Sequence, residues 1–324
     1  MQNPLTAEGR ITVLNVGTRI LLKDTMDQYI RTLGDYKTLY APNMASALRA
    51  FSENTIHVVI CETSLEDGSA YRLLQLLGGA ASELADIFVI LALEERTEAS
   101  LALAGELEAH SVLVKPFSAS DLKAQLEKYK AWKAVPKEPW LLLVDEAKMA
   151  LREKKFTDAE KFYNEAIAAA PNHPGPYYRS GLYYANKPDH GLAEGFLKKA
   201  IALKPDYTQA LSALGSLYLA KKELDKAEEI FRKAQTVSPF NPDRMSEMVK
   251  VYIERAIDTC RSTLRIDPGA TLARLQLGKL IAFQKDYVST VRELEQVVFQ
   301  LKDNQKLEAQ TYMALARKLG GIAK

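Results

Sequence analysis

The sequence predicts an α/β domain built on a five-stranded parallel sheet, followed by an all-α solenoid. Two observations carry this. Between residues 10 and 131, five short apolar runs rich in β-branched residues alternate with helical patterns, as in a parallel sheet covered on both faces. In the second half, Pro171, Pro205 and Pro239 stand 34 residues apart, and a period of that size marks stacked helical hairpins.

The bulk numbers agree. The chain has 324 residues, 47% hydrophobic and 26% charged, which suits a globular protein of two domains. No apolar run is long enough to span a bilayer, and MQNPLTAEGR at the N-terminus lacks the pattern of a secretory signal. The two cysteines, Cys61 and Cys260, lie far apart with no metal-ligand spacing around them, so a cytoplasmic location is expected. The net charge of +2 hides an asymmetry: residues 1–131 hold 12 Lys+Arg and 17 Asp+Glu, residues 132–324 hold 31 and 24. The two halves can attract each other, or the basic half can favour an acidic partner. Basic residues are spread singly along helices, which argues against nucleic-acid binding.

Taken in order, the strand runs are RITVLN (10–15), KTLYA (37–41), HVVICE (57–62), IFVILAL (87–93) and SVLVK (111–115). A helix is expected over MASALRAFSEN, with apolar residues at 44, 45, 47, 48 and 51. The last helix is SASDLKAQLEKYKAW, with Ser118 or Ser120 as N-cap. Cys61 is expected to be buried in its strand. His57, His110, His173 and His190 are read as surface or loop residues.

The stretches VVICETSLEDGSAYRLLQLL and SVLVKPFSASDLKAQL resemble the third and fifth βα units of response-regulator receivers. The resemblance implies a flavodoxin-like (βα)5 fold with strand order 2-1-3-4-5 and a crevice at the carboxyl ends of the strands. It also implies the places of the receiver site. An acidic pair that holds Mg²⁺ should follow strand one, but Asn15 and Val16 stand there. Glu62 replaces the phosphate-accepting Asp, Ala92 the phosphate-binding Thr or Ser, and Val112 the aromatic switch residue. Lys115 remains, followed by Pro116, cis by resemblance. Valine cannot ligate a hard cation and alanine cannot hydrogen-bond phosphate, so the domain is read as a pseudo-receiver. Glu62 either holds a permanently active-like shape or simply neutralises Lys115.

In the second half, 34-residue units start at Trp140, Pro174 and Thr208. Position 8 is Ala147, Gly181 and Gly215. Position 20 is Ala159, Ala193 and Ala227. Position 24 is Tyr163, Leu197 and Phe231. Position 27 is Ala166, Ala200 and Ala234. Small residues at 8 and 20 let two helices approach, large ones fill the space beside them, and the proline ends the second helix. This pattern resembles the tetratricopeptide repeat, which implies an α-solenoid with a concave protein-binding groove.

A fourth unit is damaged. Tyr252 falls at position 11 and Ala256 at position 20, only four residues apart where nine are usual. Either the two helices merge, or a flexible turn is absent from this version of the sequence. A fifth unit starts at Thr271, and a capping helix over about Gln305 to Leu319 ends at Gly320-Gly321.

The resemblance also implies which residues line the groove: Lys148 and Arg152 in the first unit; Tyr178, Leu182 and Asn186 in the second; Gln209, Ser212 and Ser216 in the third. Tyr178 and Leu182 are the expected anchors. Tyr177 and Tyr184 are assigned to the core. An extended peptide or a partner helix suits such a face.

The domain reading is residues 1–131 receiver-like, 132–139 linker and 140–324 repeats. The function expected is a non-catalytic adaptor in bacterial signalling, one half docking a signalling partner or a second copy of itself, the other holding a second protein. The alternatives are a phosphorylation-controlled regulator with an atypical site, or a subunit of a secretion, pilus or flagellar assembly. Without a nucleophile elbow, Walker loop or dinucleotide fingerprint, no enzyme activity, cofactor or metal is expected.

Overall fold

A computed structural model describes residues 10–17, 26–30, 32, 34–70, 72–74, 87–187, 190–239 and 241–322. The chain forms two compact units, one of residues up to Lys221 together with Glu229–Met245, the other of Lys222–Glu228 with Ser246–Lys324.

The first unit opens with the sheet. Strands β1 (Ile11–Val16), β2 (Tyr36–Ala41), β3 (Val58–Glu62), β6 (Phe88–Leu93) and β7 (Ser111–Val114) run parallel in the order β2-β1-β3-β6-β7. The short β4 (Ser64–Leu65) and β5 (Gly68–Ser69) pair antiparallel to each other. Counting the five parallel strands alone, this is the expected 2-1-3-4-5 order. Every residue of β3 and β6 is buried, as their unbroken apolar runs require when helices cover both faces.

On one face, Leu14, Val16, Val59, Cys61, Leu91 and Leu93 pack with Ala47 and Phe51 of α1 (Met44–Glu53) and Ala104 of α2 (Glu98–Glu106). On the other, Val13, Ile60, Ile90 and Leu113 pack with Leu122, Leu126 and Tyr129 of α3 (Ala119–Ala134). Asn43, Thr97 and Ser118 cap these three helices, each in a reciprocal capping box. Ser118, rather than Ser120, is therefore the cap of α3. That helix runs on through Ala134, so only four residues separate it from the next. Of the stretch expected to form the helix after β3, residues 71 and 75–77 lie outside the described ones.

Six helices follow in this order: α4 (Pro139–Arg152), α5 (Phe156–Ala169), α6 (Pro174–Ala185), α7 (His190–Leu203), α8 (Thr208–Ala220) and α9 (Leu224–Val237). They form three hairpins in the predicted register. A Cβ on Gly181 would lie 2.7 Å from Leu197 Cγ, and one on Gly215 2.6 Å from Phe231 Cε1. Position 8 is thus pressed onto position 24 within each unit. Ala159, Ala193, Ala227, Ala166, Ala200 and Ala234 are all 0% exposed. One core assignment needs correction. Tyr183 is the buried tyrosine, its ring 5.1 Å from that of Tyr163, whereas Tyr177 and Tyr184 are only half-buried. The register puts Tyr183 between positions 8 and 11, on the side that turns toward the preceding hairpin.

The damaged fourth unit is one uninterrupted helix, α10 (Pro242–Ile266). Of the two alternatives, the merged helix is the one found. Ile253, Glu254 and Arg255 join its halves with neither glycine nor proline to break it. In the second unit, α11 (Thr271–Phe283) and α12 (Tyr287–Glu295) form a hairpin in which Gly278 packs on Leu294. The last helix, α13 (Asp303–Gly320), ends at Gly321, whose φ of 62° is the left-handed stop.

Candidate functional site

The crevice at the carboxyl ends of the strands holds three charged side chains. Lys115 Nζ lies 2.5 Å from Glu62 Oε1 and 2.9 Å from Glu94 Oε1. Lys115 and Glu62 keep only 8% and 9% of their side-chain surface exposed. Gly17 makes room for this pair, because a Cβ there would lie 2.6 Å from Glu62 Cδ. The Glu62 carboxylate therefore lies over the end of β1, where a receiver resemblance would put a metal ion. Asn15 and Val16 are buried at that strand end, Val16 inside the apolar layer. Ala92 is buried beside Glu62 in the β3–β6 register. Val112 packs at the edge of the same layer as Val16, and the Lys115–Pro116 peptide is cis. Tyr40 donates its hydroxyl to the Gly17 carbonyl at 2.6 Å. Burial, then the nearby Glu62 charge, push its pKa up. Burial pushes the Cys61 thiol up to about 12, which makes it inert. Among the described residues, no cluster of three or more His, Cys, Asp or Glu is arranged to hold a metal ion. No described helix is long and apolar enough to cross a membrane.

A second constellation forms where α2 ends against the hairpins. Glu106 Oε1 accepts from Asn241 Nδ2 and from Arg244 Nη1, both at 2.8 Å, and Gln209 Nε2 donates to the Glu106 carbonyl at 2.8 Å. Arg244 also donates to Ser212 Oγ at 3.2 Å and to the Ser238 carbonyl. Two residues on, Glu108 has a φ of 53° and pairs with Arg179 at 2.7 Å. Arg179 lies over the Tyr178 ring, which sits 5.2 Å from that of Tyr207. Burial, then the Glu108 charge, push the Tyr207 hydroxyl far above its usual range. Burial, then the Arg179 charge, pull the Lys148 ammonium down, while Asp145 sits 3.5 Å from it.

Residues 144–208 and 189–245 each match a family described as tetratricopeptide repeat. The hairpins of residues 144–245 are tetratricopeptide repeats. Solved structures similar to parts of the chain fall into two groups. The chemotaxis response regulator CheY4 of Vibrio cholerae is 16% identical over 37% of this chain and 98% of its own, with a TM-score of 0.35. The signal receiver domain of an HD domain-containing protein from Pseudomonas fluorescens Pf-5 is 20% identical over 38% and 97%, also at 0.35. The first tetratricopeptide repeat domain of Spaghetti (RPAP3), bound to the HSP90 peptide SRMEEVD, is 23% identical over 38% and 97%, at 0.35. No curated protein matches the chain.

Several of the residues expected to line a groove thus contact other residues of the same compact unit. Gln209 and Ser212, two of the residues expected in the groove, take part in the Glu106 network, and Tyr178 and Lys148 lie beside the Glu108–Arg179 pair. Leu182 is half-buried, and Arg152, Asn186 and Ser216 are exposed. Asn186 turns its amide back to the Leu182 carbonyl. Sequence reasoning missed Gly17 and Glu94 in the crevice and Glu106, Glu108, Arg179, Asn241 and Arg244 at the groove. The one signal pointing to the latter was the opposite charge of the two halves, with Glu106 and Glu108 on the acidic side and Arg179 and Arg244 on the basic side.

Proposed function

We propose that the chain is a non-catalytic adaptor in bacterial signalling, its receiver-like domain held in one state and its tetratricopeptide groove binding a second protein. The observation that carries this is the buried Lys115–Glu62 pair over Gly17, closed on its outer side by Glu94. A receiver switches when a new phosphoryl group recruits its lysine. Here a carboxylate of the chain already holds that lysine, and Asn15 and Val16 put one neutral amide and one apolar side chain where an acidic pair would hold a cation.

The docked end of α2 supports a rigid coupling between the receiver-like domain and the first repeats. It weighs against a receiver-to-receiver dimer through that helix end, which would strip Glu106 of its partners. The partner's place is then the open part of the groove, with Leu182 as apolar anchor and Arg152, Asn186 and Ser216 around it.

Affinity capture with quantitative mass spectrometry tests this. Proteins retained by the wild type should fall at least tenfold with Leu182→Asp and with Ser216→Arg, and be unchanged by Mg²⁺ with a phosphodonor. Equal retention by both variants, or retention that depends on the phosphodonor, would overturn the reading.

A further inference from the structure

The merged helix α10 leaves one face of the fourth repeat more exposed than its equivalents, although Cys260 touches the Ile257–Leu277 cluster and the Tyr252 hydroxyl reaches Glu228 at 3.4 Å. In the intact repeats, positions 4, 8 and 11 of the first helix face positions 27, 24 and 20 of the second, as the Gly181–Leu197 and Gly215–Phe231 contacts show for 8 and 24. In α10 the first set is Met245, Val249 and Tyr252, which are 48%, 54% and 41% exposed. The second set is Ala256, Cys260 and Thr263. Their equivalents elsewhere are at most 3% exposed, yet here Ala256 and Cys260 are half-exposed and Thr263 is exposed.

Both halves of a hairpin interface are therefore present on one uninterrupted helix that cannot fold back on itself. At about 100° per residue they lie in a single stripe along one side of the helix. None of the six is charged, although nine of the 25 residues of α10 are. Thr259 and Thr263 turn their hydroxyls back to the carbonyls of Arg255 and Thr259, at 2.9 and 3.0 Å. Their polar groups are satisfied within the helix, so covering this face would strand none of them.

We propose that a second copy of this chain covers the stripe, α10 packing antiparallel on α10 about a two-fold axis near Glu254. The register follows from the numbers: Met245 then faces Thr263 of the second copy, Val249 faces Cys260, and Tyr252 faces Ala256. Each of these pairs repeats the 4–27, 8–24 and 11–20 relationship of an intact hairpin, and each sets a large side chain against a small one. A parallel arrangement would set Tyr252 against Tyr252. This self-complementarity selects a second copy over an unrelated helix, because the interface is isologous. A seam of about 27 Å is a small interface, so the dimer is reversible.

The test uses the full chain and its own cysteine. Sedimentation should show a mass that doubles with rising concentration, and Val249→Glu should abolish the doubling with unchanged circular dichroism. Under mild oxidation, Val249→Cys should give a covalent dimer through Cys260. Val249→Cys with Cys260→Ser, and Lys250→Cys on the far side of the helix, should not. Copying residues 221–225 in after Glu254, to restore the turn, should give a monomer. Overturning results would be a monomer at every concentration with no Val249→Cys dimer, or cross-linking that survives Cys260→Ser.

Discussion

The Glu106 carboxylate and the Arg244 guanidinium meet at 2.8 Å with 0% and 1% of their side chains exposed. Glu106 Oε2 and Arg244 Nε are buried with no hydrogen-bond partner among the described residues. An ion pair this dry, with two polar atoms unsatisfied, fixes geometry more than it stabilises. Removing one partner strands the other charge. Arg244→Met is therefore expected to destabilise the protein by about 3–5 kcal/mol, while Glu106→Leu combined with Arg244→Met should come within about 1 kcal/mol of wild type. Urea unfolding of the single and double variants checks this. An Arg244→Met protein as stable as wild type would contradict the description of the pair.

Gly17 and Glu62 compete for one volume. Gly17→Ala puts a methyl group where the Glu62 carboxylate lies, so the glutamate must leave Lys115 or the strand end must shift. The expected loss is about 1–3 kcal/mol. In a Glu62→Ala background the same change should cost little. A double-mutant cycle reads the coupling directly.

Lys154 sits at φ 60° in the turn between α4 and α5, a conformation that costs a residue with a Cβ about 1 kcal/mol or more. Lys154→Gly should raise stability by a few tenths to about 1 kcal/mol, since the greater freedom of glycine in the unfolded chain offsets part of the gain. Glu153→Gly, at a negative φ of −81°, serves as the control and should not be stabilising.

Glu194 supplies the pH dependence. Hydrogen bonds from Lys198, then Lys221 and Tyr218, hold its carboxyl down to about 2. A folded pKa below the unfolded one means that the unfolded chain takes up the proton first. The contribution of Glu194 is thus fully present above about pH 4.3 and is lost as pH falls from there toward 2. Melting temperature against pH should drop less steeply over that window in Glu194→Gln than in wild type.

The sheet was legible because burial on both faces makes β6 and most of β1 and β3 apolar without alternation. The repeats were legible because close helix approach demands Gly or Ala at fixed places, as at Gly181 and Ala193. The ends of α10 lay open because spacing alone does not say whether a missing turn merges two helices; the breaker-free Ile253-Glu254-Arg255 junction decides it. Glu106 and Arg244 were out of reach for a different reason. An ion pair between residues 106 and 244 leaves no periodic mark, and only the summed charge of each half hinted at it. Glu94 follows β6 by one residue, at a place where no local pattern calls for a carboxylate.

If the receiver-like domain is held in one state, Glu62, and not a phosphoryl group with its cation, keeps Lys115. Intact mass spectrometry of the full chain after incubation with acetyl phosphate and Mg²⁺ tests it most directly. The mass should be unchanged, in wild type and in Glu62→Gln alike. A phosphoryl group added to residues 10–131 of the wild type would contradict it.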